Sequence, residues 1–94
     1  YGSNRGSDAL LDAFLKHIGK IGLTGYGRVN CATGIGAKHV LYNLAEALLD
    51  EGDTIAFAVP YWTSYLDIAE IVDAKIELLP CPASQDYKMT PAQL

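Results

Sequence analysis

The sequence predicts an α/β fold in which helices alternate with the strands of a mainly parallel sheet, in the order α-β-α-β-α-β. Three observations predict it. Apolar residues recur at helical spacing in three separate segments. One run, Thr54-Ile55-Ala56-Phe57-Ala58-Val59, is continuously apolar after its first residue and bounded by turn signals, which fits a strand buried on both faces. Helical and extended segments alternate along the chain, and that alternation is the signature of helices crossing over a parallel sheet.

Each element has its own reason. Leu10, Leu11, Phe14, Leu15 and Ile18 line one face of a first helix. Ser7 or Asp8 can cap its start, and Gly19 can end it. The stretch from Gly19 to Gly27 contains four glycines and reads as a loop. Arg28-Val29-Asn30-Cys31-Ala32-Thr33 reads as a short strand, and Gly34-Ile35-Gly36 as a turn. A second helix follows from Ala37 to Asp50, with Ala37, Val40, Leu41, Leu44, Ala45 and Leu48 on one face. Gly52-Asp53 breaks it, and the apolar strand follows. Pro60 stops that strand. A third helix runs from Thr63 to Val72, with Tyr65, Ile68, Ala69 and Val72 turned inward. Ala74 to Leu79 alternates as a strand does, and Pro80-Cys81-Pro82 ends it. Thr90, Pro91 and Gln93 form a capping-box start at the chain's last residues. A helix start cut off at Leu94, one residue after Gln93, together with the absence of an initial Met, leads us to expect a piece of a longer protein. No internal domain boundary is visible across residues 1–94.

Composition narrows the function. The chain has 94 residues and a formal net charge of −4. No cluster of Lys or Arg exists, so a phosphate-backbone binder is not expected. The longest apolar run, Ile55 to Trp62, falls far short of the ~20 residues that span a bilayer. The opening residues do not read as a secretory signal. Half the residues are hydrophobic, which argues against disorder. Cys31 and Cys81 sit in apolar surroundings and read as buried free thiols, so a reducing, cytoplasmic location is the expectation. With His17 and His39 they show no metal-ligand spacing.

Two places can carry chemistry. At the first, Gly34-Ile35-Gly36 leads into a helix that opens with Ala37-Lys38-His39. Backbone N–H groups at a helix start favour an anion, usually a phosphate, and Lys38 adds charge. The plainer reading is that the glycines only let the chain turn. The motif is neither a dinucleotide fingerprint, since His39 stands where the third glycine belongs, nor a P-loop. At the second, Pro60-Tyr61-Trp62-Thr63-Ser64-Tyr65 follows the apolar strand. In open α/β sheets ligands bind beyond the carboxyl ends of strands, and a Trp there can stack on a flat ring. The plainer reading is a core aromatic cluster. A phosphate site and an aromatic platform on one sheet edge together suggest a phosphorylated aromatic cofactor.

At this point the whole chain resembles the fold type I pyridoxal-phosphate-dependent aminotransferases of class I/II, and within them the bacterial aspartate aminotransferase-like group. The matching segments are Tyr1-Gly2 with Gly6 and Leu10, Thr33 to Lys38, Leu48 to Asp53, Val59 to Tyr65, and Tyr87 to Leu94. The resemblance implies a partial large domain of the three-layer PLP-transferase fold. It implies that Gly36, Ala37 and Lys38 hold the phosphate of pyridoxal phosphate (PLP) and that Trp62 stacks on its ring. It also implies that Tyr1 reaches the phosphate in a neighbouring subunit, hence a homodimer. The substrates implied are an amino acid, with aspartate suggested by the subgroup, and a 2-oxo acid.

The sequence departs from the pattern at Glu51, where a proline is usual, at Asp12, near where an arginine is common, and at Ile35, where a small or hydroxyl residue is usual. No segment of residues 1–94 matches the family's Schiff-base lysine, its pyridine-pairing aspartate or its substrate-binding arginine. Lys16, Lys20, Lys75 and Lys88 read as surface groups, and Lys38 belongs to the turn. The expectation is a chain that does not transaminate by itself, that binds pyridoxal phosphate weakly at best, and that exposes sheet edges and apolar faces. Two other readings stay open. One is a non-enzymatic interaction module derived from the same fold. The other is a small α/β phosphate or nucleotide binder, in which Trp62 has no role.

Overall fold

The computed structural model describes residues 2–94. They form two compact units, Tyr1–Val40 and Leu41–Leu94, and Tyr1 itself lies outside the described residues. The architecture is α/β, as the alternation predicts.

The first unit begins with helix α1, Asp8–Gly19. Ser7 is its N-cap: extended at φ −72° and ψ 146°, it accepts the Leu10 N–H on its hydroxyl at 3.3 Å. That satisfies one of the donors a helix start leaves over. Of the predicted apolar face only Leu11 is buried, at 3% exposure, while Leu15 and Ile18 are half-buried and Leu10 and Phe14 stay open.

The segment predicted as a first strand does not form one. Arg28–Asn30 is a single 3-10 turn, and Cys31 alone beyond it is buried. A strand needs a ladder, and these residues spend their polar groups elsewhere. The Gly27 N–H donates to Asn30 Oδ1 at 2.9 Å, the Asn30 N–H to the Gly27 carbonyl at 2.9 Å, and the Thr33 N–H to the Arg5 carbonyl at 2.8 Å.

Arg28 is fixed by two carboxylates of α1. Its Nε and Nη2 bind both oxygens of Asp12, at 2.6 and 2.5 Å, and its Nη1 lies 2.6 Å from Asp8 Oδ2. Asp8 and Asp12, which the sequence presents as ordinary helix-surface charges, therefore clamp the turn to α1. The hydrogen bond from Arg28 holds the Asp12 carboxyl below the usual carboxylate range; desolvation opposes it, and the Arg28 charge adds to it. A group depressed on folding contributes stability that is complete above its unfolded pKa and is lost as pH falls through its folded value. The urea midpoint is therefore expected to fall on acidification below about pH 4. Asp12→Asn is expected to have a lower midpoint at neutral pH and a flatter acid limb. Because all three side chains are exposed, about 1 M salt should shrink the difference between the two proteins. Parallel acid limbs would mean that the pair contributes nothing.

Helix α2, Ala37–Leu48, starts in the first unit and runs on into the second. In the second unit, strand β1 (Thr54–Val59) pairs in parallel with strand β2 (Lys75–Pro80), in register from Thr54 opposite Lys75 to Val59 opposite Pro80. Helix α3, Ser64–Ile71, is the crossover between them. Ile68 and Ala69 on α3 are buried, Ala69 completely, while Tyr65 and Val72 are half-buried. Strand β1 is not buried on both faces, contrary to its apolar reading. Thr54 and Ala56 are exposed and the other four residues are half-buried: among the described residues β2 is the one strand paired with β1, and the elements packed on its faces leave them partly open.

The second unit holds an apolar hollow of about 320 Å³ lined by Leu41, Leu44, Leu48, Ile55, Phe57 and Ile68, among others. Beyond β2, Cys81 is buried, and its N–H donates to the Val59 carbonyl at 2.9 Å. Both cysteines are free and buried, as their surroundings predict. The capping box at the end is present: Gln93 Oε1 accepts the Thr90 N–H at 2.9 Å, and Gln93 Nε2 donates to the Pro80 carbonyl at 2.7 Å. The side chain that caps the last turn thus also ties it to the end of β2. No helix among the described residues is long and apolar enough to cross a membrane.

Candidate functional site

The first candidate is the turn that opens α2. Gly36 has φ +141°, a conformation that L side chains rarely adopt, and a Cβ there would meet nothing within 4 Å. Glycine is therefore required by the backbone rather than by crowding, and the space beside it is open. Gly34 is the opposite case. A Cβ there would lie 2.8 Å from His39 Nδ1 and 2.9 Å from Val40 Cγ2. Between the two glycines, Ile35 is 97% exposed, so no side-chain packing holds the turn. Its N–H donates to His39 Nδ1 at 3.3 Å. The first carbonyl of the helix, that of Gly36, accepts the Val40 N–H at 3.2 Å. The N–H groups of Gly36 and Ala37 precede that first helical bond, where the helix dipole is positive. With the Lys38 ammonium on the same exposed turn, this donor set suits a doubly charged oxyanion.

The second candidate is the aromatic group after β1, within the second unit. The Val59-Pro60 peptide is cis, and the strand ends there. Trp62 is 47% exposed and meets Tyr65 edge-on, with ring centroids 5.7 Å apart and planes at 78°. Tyr65 in turn stacks on Phe57 of β1, at 5.5 Å and 13°. Tyr61 leans on the same Phe57 at 6.3 Å. The indole is thus anchored through Tyr65 to the strand while nearly half its surface stays open to solvent. That open face is available to a flat ring.

The chain's similarity to known proteins follows the same segments. The sequence profile of the family described as aminotransferase class I and II matches residues 1–94. The chain belongs to that family. An aspartate aminotransferase of Bacillus sp. (strain YM-2) is 32% identical over all 94 residues, which are 24% of its own length. One of Rhizobium meliloti is 44% identical over 59 residues, 63% of this chain and 14% of that protein. Among solved structures, the aspartate aminotransferase from Rhizobium meliloti superposes with a TM-score of 0.93 at 32% identity, over 99% of this chain and 23% of that one. A BacF structure from Bacillus subtilis, described as substrate-bound, superposes with a TM-score of 0.84 at 27% identity and 99% coverage of this chain. The chain therefore spans about a quarter of the length of relatives that match it throughout.

Of the residues singled out from the sequence, Gly36, Ala37 and Lys38 lie together on the turn in the first unit, and Trp62 lies in the second. Tyr1 is outside the described residues. From the sequence, His39 in the first turn of the helix is read as a surface residue in preference to one lining the site. It is exposed, and what that reading missed is the bond of its ring to the turn. The signal was available in its position three residues after the N-cap, where a side chain can reach back to the preceding backbone.

Proposed function

We propose that this chain is the cofactor-holding part of a PLP-dependent aminotransferase that moves an amino group between an amino acid, aspartate among the candidates, and a 2-oxo acid. The observation that carries the reading is the glycine turn with Lys38 at the start of α2, in a chain whose whole length matches the aminotransferase family. Gly36 and Ala37 would donate backbone N–H groups to the phosphate of PLP, and Lys38 would add a charged donor. Trp62 would cover one face of the pyridine ring and shield it from water. When bound, PLP supplies the electron sink that makes amino transfer possible. Residues 1–94 would hold and orient it without providing its covalent anchor, so unaided they would bind it reversibly and not turn over substrate. Tyr1 would serve the phosphate of a neighbouring subunit in a homodimer.

Phosphate recognition separates this reading from simple aromatic stacking. Equilibrium dialysis of the protein against PLP and against pyridoxal, which lacks the phosphate, measures it. Lys38→Ala is expected to weaken PLP binding roughly tenfold, the worth of one partly solvated charged hydrogen bond, and to leave pyridoxal unchanged. Equal loss for both ligands, or for neither, would remove Lys38 and its turn from the site.

A further inference from the structure

We propose that His39 is a positioning residue: it pre-organises the phosphate-binding turn by accepting the Ile35 N–H on Nδ1. The inference rests on the functional reading above. It starts from what the turn lacks. Residues 34–36 are two glycines flanking an isoleucine that is almost wholly exposed. Glycine carries the largest conformational entropy of any residue, so such a turn needs an external tie to hold one geometry. His39 supplies one. As the third residue of α2, counted from its start at Ala37, it sits where a capping-box side chain reaches back past the helix start, and it catches the Ile35 N–H at 3.3 Å.

Gly34 makes room for the ring. Its absent Cβ would lie within 3 Å of both Nδ1 and the stiff, β-branched Val40. The ring and Val40 therefore occupy the space that a side chain at position 34 would need. Two consequences follow for an anion. The Ile35 N–H is spent on His39, which leaves the Gly36 and Ala37 N–H groups, ahead of the first helical bond, as the backbone donors an anion would take. The bond also fixes the tautomer, because Nδ1 can accept only if the imidazole proton sits on Nε2. His39 acts through the turn and need not touch the cofactor.

The test compares wild type, His39→Leu, which fills similar space without an acceptor, and His39→Asn, whose Oδ1 can take the place of Nδ1. Equilibrium dialysis with PLP and with pyridoxal gives the readout, and far-UV circular dichroism confirms that each variant is folded. His39→Leu is expected to lose about tenfold in PLP affinity with pyridoxal unchanged, whereas His39→Asn stays within about twofold of wild type. A His39→Leu protein that binds PLP like wild type would overturn the proposal. So would an Asn variant as weak as the Leu variant. A long-range proton–nitrogen spectrum of wild-type histidine needs no variant to fold: a proton on Nε2 supports the proposal and one on Nδ1 overturns it. If wild type itself does not prefer PLP to pyridoxal, the functional reading fails and this inference with it. If wild type prefers PLP and the Leu variant does too, only the inference fails.

Discussion

Gly6→Ala is expected to lower the stability of the protein by about 2–5 kcal/mol. Two costs combine. Gly6 has φ +112°, which strains any L side chain whatever the space. Its Cβ would also overlap Thr33 Oγ1 and lie 3.3 Å from Thr33 Cβ and Cγ2. Thr33 cannot step aside cheaply, since its N–H and hydroxyl both donate to the Arg5 carbonyl, at 2.8 and 3.1 Å. Those bonds dock the segment before α1 onto the residue just ahead of the glycine turn. Domains are stabilised by only about 5–15 kcal/mol, so the loss should show as a large drop in the urea midpoint. The double variant Gly6→Ala with Thr33→Ala removes the overlap but keeps the strained φ. It is expected to regain part of the loss, with a coupling of roughly 1–3 kcal/mol. A Gly6→Ala midpoint equal to wild type would show that the segment is not docked in this way.

Trp62→Ala is expected to weaken PLP roughly ten- to hundredfold, or about 1.4–2.8 kcal/mol, the range found when an aromatic side chain is removed from under a stacked heteroaromatic ring. The pattern across ligands matters more than the size. Trp62 would meet the ring and not the phosphate, so PLP and pyridoxal should weaken together. Lys38→Ala should weaken PLP alone. Trp62→Phe should keep most of the affinity, since a smaller ring can still stack. Because Trp62 is the only tryptophan, the variants must be followed by dialysis or by PLP absorbance rather than by intrinsic fluorescence. If Trp62→Ala left both ligands unchanged, the indole would be an exposed aromatic with no ligand role. That outcome would remove Trp62 from the proposed cofactor site.

Much of the second unit was legible in the sequence because its signals are local. The apolar run from Thr54 to Val59, the alternation from Ala74 to Leu79 and the Thr90–Gln93 capping box each lie within a few residues, and each became the expected element. The first unit was harder for a physical reason. Arg28 to Thr33 has strand-like composition, but its fate depends on partners far away in sequence. Arg28 reaches Asp12 and Asp8 across the glycine loop, and Thr33 reaches Arg5. Propensity cannot see such contacts, and a strand without a ladder closes into a turn. The double burial expected for β1 failed for a related reason: an apolar run says that a strand can be covered, not that these residues contain the cover. At the glycine turn the two glycines and Lys38 were visible as types. The His39 bond was not, because a histidine reads the same whether its ring faces solvent or folds back on the chain.

The proposed function assigns the phosphate of PLP to the glycine turn and its ring to Trp62. The most direct measurement is an amide and indole proton–nitrogen correlation spectrum of the protein titrated with PLP and, separately, with inorganic phosphate. The account predicts that PLP moves the Gly36 and Ala37 amides and the Trp62 indole signal together, with one shared affinity, and that phosphate moves the two amides alone. Shifts at the amides without the indole, at the indole without the amides, or at neither would contradict it.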